Sequence, residues 1–398
     1  MKLSSRLSAV KPSATLAITA KANALKAAGV DVCSFGAGEP DFPTPAHICE
    51  AGKSAIDEGY TRYTASAGLP VLRKALAAFI NLRYHLNYTA DEVAITVGGK
   101  HALYNLFMAL LDEGDEVIIP SPYWVSYPEQ VRLAGGVPVI VPGAVENGFK
   151  ITAAQLEAAI SPRTKYFVLN SPSNPTGAAY NEEELGALAD VVIKHDLFVI
   201  SDEIYSELVY DGFPFRSFPT LRPNLKERTA IASGFSKTYS MTGWRLGWLA
   251  APVELVKAAD TIQSQSTSNV PGMTQMAALA ALQGSHGFLD AWLQTFDRRR
   301  HTIVDGLNAL EGVRCALPQG AFYVFPDFRG VLHRKWNGEP LGTDIRLTQY
   351  LLEEAHVAIV PGEPFGAPGF ARFSYATSDQ VIEEGLRRIR VALDKLDG

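Results

Sequence analysis

A chain of 398 residues is longer than one hydrophobic core ordinarily fills, so two domains are expected. Hydrophobic residues make up 47%, charged residues 20% and the net charge is only -6, which excludes disorder over the bulk of the chain and leaves no broad basic field for nucleic acid. Cys33, Cys49 and Cys315 form no C-x-x-C pair and the eight histidines show no ligand spacing, so neither a disulfide framework nor a protein-built metal site is expected. No apolar run is long enough to span a membrane, and Ser, Lys and Pro interrupt the N-terminal segment, so a cytoplasmic protein with no membrane partner is expected.

Taken in order, short apolar runs alternate with helical patterns. VAITV at 93–97 predicts a strand, and 100–111 an apolar-periodic helix. Strands are predicted at 116–119 (EVII), 137–141, 166–169 (YFVL) and 197–200 (LFVI). The stretch 182–194 predicts a helix with acids in its first turn and a lysine at its end. Strands at 230–232 and 246–250 complete the series. Near-continuous apolar strands alternating with helices predict a mostly parallel sheet covered on both faces, an α/β fold. Past about residue 285 the rhythm changes. A long helix is predicted at 289–310, carrying the basic cluster Arg298–His301, then strands at 322–325, 358–360 and 373–375, a helix near 347–354 and a final helix from Asp379. This predicts a smaller α+β domain of residues 286–398 that also takes in 1–45, with 46–285 as the large domain and the Pro-rich stretch 40–45 as the crossing point.

The familiar nucleotide and hydrolase signatures are missing: no G-x-G-x-x-G after a strand, no P-loop, no G-x-S-x-G. A nicotinamide dehydrogenase, a P-loop enzyme and an α/β-hydrolase are thereby disfavoured. One constellation does carry chemistry. The 93–97 strand ends in Gly98-Gly99 at the start of a helix, where free N–H groups suit a phosphate. The 197–200 strand runs into Asp202-Glu203-Ile204-Tyr205, which puts an acid at the strand's C-terminal end, where α/β ligands bind. The 230–232 strand leads to Ser236-Lys237, with Arg245 eight residues on. An anion cradle, an acid, a lysine and an arginine suit pyridoxal phosphate, which needs a phosphate site, a carboxylate at its ring nitrogen and a lysine for its aldehyde.

The sequence here resembles the fold-type I pyridoxal-phosphate aminotransferases, specifically the class-I aspartate aminotransferases of the Iβ subgroup. The motifs run nearly end to end: KPSAT (11–15), GEPDF (38–42), 63–68, GGKHAL (98–103), SPYWVSYP (121–128), NSPSNPTG (170–177), SDEIY (201–205), SKTYSMTGWRLG (236–247) and RFSYA (372–376). The resemblance implies a large domain with a seven-stranded sheet, and it implies roles. Lys237 is similar to the Schiff-base lysine and base, Asp202 to the partner of the ring nitrogen, and Tyr205 and Asn174 to the donors at the ring 3-oxygen. Trp124 would stack on the ring. Gly99, Lys100, Ser236 and Arg245 would hold the phosphate, with Gly234 standing where many relatives have a serine. Arg372 would clamp the α-carboxylate with help from the Gly38 N–H, and Lys100, Ser13 and Thr15 would read an acidic side chain, with Lys11 near the same mouth. Tyr63 would reach the phosphate of a second subunit, so a homodimer with shared sites is implied.

The implied reaction is amino transfer from aspartate to 2-oxoglutarate, giving oxaloacetate and glutamate, with prephenate as a second acceptor. The alternative within the fold is an aromatic or alanine aminotransferase or a C–S lyase. An effector-binding module is disfavoured because no helix-turn-helix with a basic face is visible.

Overall fold

The computed structural model describes every residue except Lys2 and Gly398. Its strands are β1 (Cys33–Ser34), β2 (Val93–Thr96), β3 (Glu116–Ser121), β4 (Val137–Pro142), β5 (Thr164–Asn170), β6 (Phe198–Asp202), β7 (Thr229–Gly234) and β8 (Gly247–Ala250), followed by β9 (Tyr323–Val324), β10 (Lys335–Trp336), β11 (Glu339–Pro340), β12 (Val357–Ala358), β13 (Val360–Pro361) and β14 (Ala371–Ser374). Seven of them form one sheet in the order β2-β8-β7-β6-β5-β3-β4. β3 through β7 run parallel, while β8 runs antiparallel to β7 and β2.

Alternation along each strand explains why this sheet needs cover on both faces. Val117, Ile119, Val168 and Ile200 pack with Leu103, Leu106 and Phe107 of the helix Gly99–Leu110 and with Leu255 and Val256 of the helix Val253–Ser266. Their strand neighbours Ile118, Phe167, Leu169 and Val199 pack instead on Leu185, Leu188 and Val192 of the helix Glu182–Lys194. That helix begins where its sequence predicts, because Asn181 and Glu184 form a reciprocal capping box.

A separate core gathers the C-terminal third around the helix Gly287–Asn308. Phe296, Ile303 and Leu307 of that helix meet Phe322, Leu351, Phe373 and Ile389, and Cys33 and Phe35 join them from near the N-terminus. The N-terminal strand is bound in by pairing: β1 lies parallel to β12, with Cys33 opposite Val357. The basic cluster on the long helix is structural. Arg299 joins Asp41 at 2.9 Å to Asp379 at 3.1 Å, and the buried Arg300 bonds the Pro318 carbonyl and Asp211, each at 2.7 Å.

One predicted strand is corrected. Residues 358–360 are not a single strand: Val357–Ala358 pairs with β1, Val360–Pro361 pairs with β14, and Ile359 between them is where the chain passes from one sheet to the other. An unbroken apolar run reads alike in both cases, so periodicity carries no sign of the break. The helix near 347–354 starts earlier, at Asp344, where the Thr343 hydroxyl accepts from the Arg346 N–H.

Candidate active site

A cavity of about 410 Å³ opens where β5, β6 and β7 end. This is the crevice that parallel strands leave at their carboxyl ends. Its lining brings together almost all of the expected residues: Ser13, Thr15 and Gly38 from the N-terminal segment, Gly99, Lys100 and Trp124, Asn174, Asp202 and Tyr205, Ser236, Lys237 and Arg245, and Arg372. Two expected residues lie outside it. Tyr63 is 91% exposed on the surface. Lys11 is exposed, and its backbone N–H donates to the Glu129 carboxylate at 2.8 Å.

Asp202 closes β6 and is buried. It accepts from the Tyr127 hydroxyl at 2.6 Å and from the Ile204 N–H at 3.2 Å. Burial pushes its pKa up to about 6, against the pull of those two hydrogen bonds and of Lys237. No ion pair to Asp202 occurs among the described residues, so this buried carboxylate has room for a cationic partner. The adjacent Glu203 points the other way, as strand alternation requires, and is held by Ser201, Ser217 and the Phe218 N–H.

Lys237 follows β7, and its Nζ donates to the Gly38 carbonyl. Loss of water around the amine brings its pKa down to about 8; Glu39 opposes this, and Arg372 and Arg245 reinforce it. At neutral pH about a tenth of such an amine is uncharged, against well under a thousandth for an ordinary lysine.

Arg372, on β14, is 1% exposed and has no carboxylate partner among the described residues. Its guanidinium donates to Asn174 Oδ1 and to the Gly36 carbonyl, both at 2.9 Å, and lies over the rings of Tyr323 and Phe365. Its Nε is buried without a hydrogen-bond partner among the described residues. A buried guanidinium with a free donor is a site for an anion. Thr15 Oγ1 is likewise buried and unbonded.

Groups that could hold a second anion gather at the start of the helix Gly99–Leu110. Gly98 has φ 84°, and a Cβ there would stand 2.6 Å from an Arg245 guanidinium nitrogen. A Cβ on Gly247 would fall 2.3 Å from the Gly99 nitrogen, so the helix start and β8 touch only because both lack side chains. Arg245 is fixed by the Thr242 carbonyl at 2.9 Å. Lys100 stands at the mouth with its Nζ 5.1 Å from the centre of the Trp124 ring, and partial loss of water, then Arg245, lowers its pKa. Gly234 faces Gly247 closely: a Cβ would lie 3.0 Å from the Gly247 Cα.

Three residues of the site escaped sequence reasoning. Tyr127 holds Asp202. Asn170 donates to the Asp202 carbonyl at 3.0 Å and accepts from the Asn174 N–H at 2.9 Å, joining the ends of β5 and β6 to the Asn174 loop. Tyr323 contacts Arg372 and Tyr205. Tyr127 and Asn170 sit inside quoted motifs, but nothing local to them says which way they face. Tyr323 stands in an apolar run that reads as core.

The sequence profile of the family described as aminotransferase class I and II matches residues 30–389. The aspartate/prephenate aminotransferase of Cereibacter sphaeroides is 50% identical over 390 residues, 98% of each chain. The aspartate aminotransferase of Geobacillus stearothermophilus is 51% identical over 389 residues, again 98% of each. Among solved structures, the Rhizobium meliloti aspartate aminotransferase superposes with a TM-score of 0.96 at 45% identity, covering 100% of both chains. The Thermus thermophilus aspartate aminotransferase with maleate superposes at 0.93 and 44% identity, covering 98% of this chain and 100% of that one. A seven-stranded sheet whose strand ends carry an acid and a lysine toward a buried arginine, matched at this identity over nearly the whole chain, makes the protein a member of the class I and II aminotransferase family.

Proposed function

We propose that the protein is an aspartate aminotransferase that uses pyridoxal phosphate, moving the amino group of L-aspartate to 2-oxoglutarate to give oxaloacetate and L-glutamate. The observation that carries this reading is the meeting in one cavity of Lys237, with its pKa drawn down to about 8, the buried Asp202 and the buried, carboxylate-free Arg372.

The donor set fits the cofactor. Asp202 has no ion-pair partner among the described residues and would hold the ring nitrogen. Asn174 and Tyr205 would hold the 3-oxygen, Trp124 the ring face, and the backbone N–H groups of Gly99 and Lys100 at the helix start, with Ser236 and Arg245, the phosphate. When bound, pyridoxal phosphate supplies an electrophilic carbon for amines and an electron sink for the charge that develops at the substrate Cα. The remaining tasks fall to the chain itself. Arg372 pairs with the α-carboxylate through its free donor face, and the Gly38 N–H assists. Lys237 Nζ, uncharged in part at neutral pH, takes the Cα proton and gives one back. Asn174 steadies the Arg372 guanidinium so that the substrate is held in one orientation.

Preference for acidic substrates follows from charge. The cavity lining carries Lys100, Lys237, Arg245 and Arg372 against Glu39 and Asp202, a local cationic excess on a chain of net charge -6. Lys100, Ser13 and Thr15 would read the distal carboxylate. A panel of aspartate, alanine, phenylalanine and cystathionine tests the choice, and aspartate should have the highest kcat/KM. Lys100→Ala should lower kcat/KM for aspartate by about 30-fold or more while moving the value for alanine less than about threefold. An equal loss on all four substrates would remove Lys100 from side-chain recognition. Prephenate belongs on the same panel as an acceptor, because the Cereibacter relative is named for it.

The exposed Tyr63 supports a homodimer in which this tyrosine completes the partner's phosphate site. Sedimentation equilibrium should then give twice the mass of the chain, and a monomer with full activity would refute shared sites. Residues 1–45 and 286–398 are read as the small domain and 46–285 as the large one. No helix among the described residues is long and apolar enough to cross a membrane. Its three free cysteines suit a reducing cytoplasm.

A further inference from the structure

Tyr323 has no role in the chemistry above, yet it touches three of the residues that do. It is buried at the start of β9, paired with Ser374 of β14. Arg372 precedes Ser374 by two residues and therefore shares its face, so Tyr323 and Arg372 are diagonal cross-strand neighbours, within reach of an aromatic and a long side chain. The Arg372 guanidinium carbon lies 4.6 Å from the centre of the Tyr323 ring. The Tyr323 hydroxyl lies 2.8 Å from that of Tyr205, and the two rings meet edge to face at 5.7 Å. The same hydroxyl abuts Gly38, where a Cβ would come within 3.0 Å of it and of nothing else within 4 Å.

A hydroxyl pair shares one proton between its oxygens. If Tyr205 turns its own proton toward the cofactor's 3-oxygen, the bond between the tyrosines must be donated by Tyr323. A donor bond received by Tyr205 polarises its O–H and strengthens what it donates onward. We propose that Tyr323 is a positioning residue that couples the two halves of the site: its ring carries the Arg372 guanidinium at the α-carboxylate clamp, and its hydroxyl sets the strength of the hydrogen bond that Tyr205 makes. The charged and titratable groups around the pair are Arg372 and Asp202 near Tyr205, and Arg372 and Glu39 near Tyr323, with Lys237 sharing the cavity. The inference rests on the proposed cofactor chemistry.

The test compares Tyr323→Phe and Tyr323→Leu with the wild type, all as holoenzyme. Two quantities are read: the pH midpoint of the cofactor's visible absorbance change and the dissociation constant of succinate, a dicarboxylate that cannot react. Tyr323→Phe keeps the ring and removes the hydroxyl. Its midpoint should rise by about 0.5 unit, because the anionic oxygen loses stabilisation, while succinate affinity stays within about twofold. Tyr323→Leu removes the ring as well and should weaken succinate about tenfold further. A midpoint unmoved in Tyr323→Phe, or equal succinate affinity in the two variants, overturns the coupling. A wild-type protein with no visible band overturns the cofactor reading itself, and this inference with it, so the two failures are distinguishable.

Discussion

Lys237→Ala should reduce turnover of aspartate and 2-oxoglutarate by on the order of 10⁵-fold and remove the visible absorbance band of the bound cofactor. The size follows from the two jobs that the proposed function gives this amine, as covalent anchor and as proton carrier. Among the described residues the one other lysine in the cavity lining is Lys100, whose Nζ lies over the Trp124 ring. A purified variant that keeps the band would overturn the assignment. The wild-type amine has its own signature. Only the uncharged form attacks an aldehyde, and its pKa of about 8 is drawn down mainly by loss of water. In the cofactor-free protein, reductive trapping of an aldehyde at Lys237 should therefore rise about tenfold per pH unit below pH 8 and level off above it. A rise that continues to pH 10 would mean an ordinary solvated lysine.

Asp202→Asn is expected to act in opposite directions on activity and stability. Turnover should fall by about 10³-fold, since a neutral amide cannot keep a ring nitrogen protonated. The cofactor-free protein should gain stability at neutral pH. Burial raises the Asp202 pKa to about 6, above its value in the unfolded chain, so the folded state favours the protonated acid. The resulting stabilisation is fully present below about pH 4 and is lost as pH rises through 6. Above that, the folded protein carries a buried charge that costs about 2–3 kcal/mol even with the Tyr127 hydrogen bond in place. The amide carries no charge. Denaturant unfolding of the two cofactor-free proteins should diverge by about 2 kcal/mol at pH 8 and converge near pH 4. Equal stability at both pH values would mean that Asp202 is not held against its charge.

Lys237, Asp202 and Arg245 were singled out by local pattern, an acid or lysine just past an apolar strand and an arginine eight residues past the lysine, whereas Asn174 and Arg372 were implied only by the family resemblance carried by NSPSNPTG and RFSYA. The helix Glu182–Lys194 was legible from local pattern too, its start and end signals lying within a few residues. The division of 358–360 between two sheets was not. Neither strand has its partner nearby: one pairs with Cys33–Ser34 and the other with Ala371–Ser374. Side-chain direction was equally hidden for Tyr127, since an aromatic on a short helix is apolar enough to read as core.

The sequence by itself determined the alternating strands and helices, the family motifs and the chemistry that their residue types permit, because dihedral preference, hydrophobic period and capping act over a few neighbours. Tertiary structure alone decided which groups meet. Arg372 finds the Gly36 carbonyl across 336 residues and Lys237 the Gly38 carbonyl across 199. Only that packing strips water from Lys237 and Asp202 and leaves a guanidinium nitrogen without a partner. A pKa depends on the water and charge around a group in space, and neither is fixed by its neighbours along the chain.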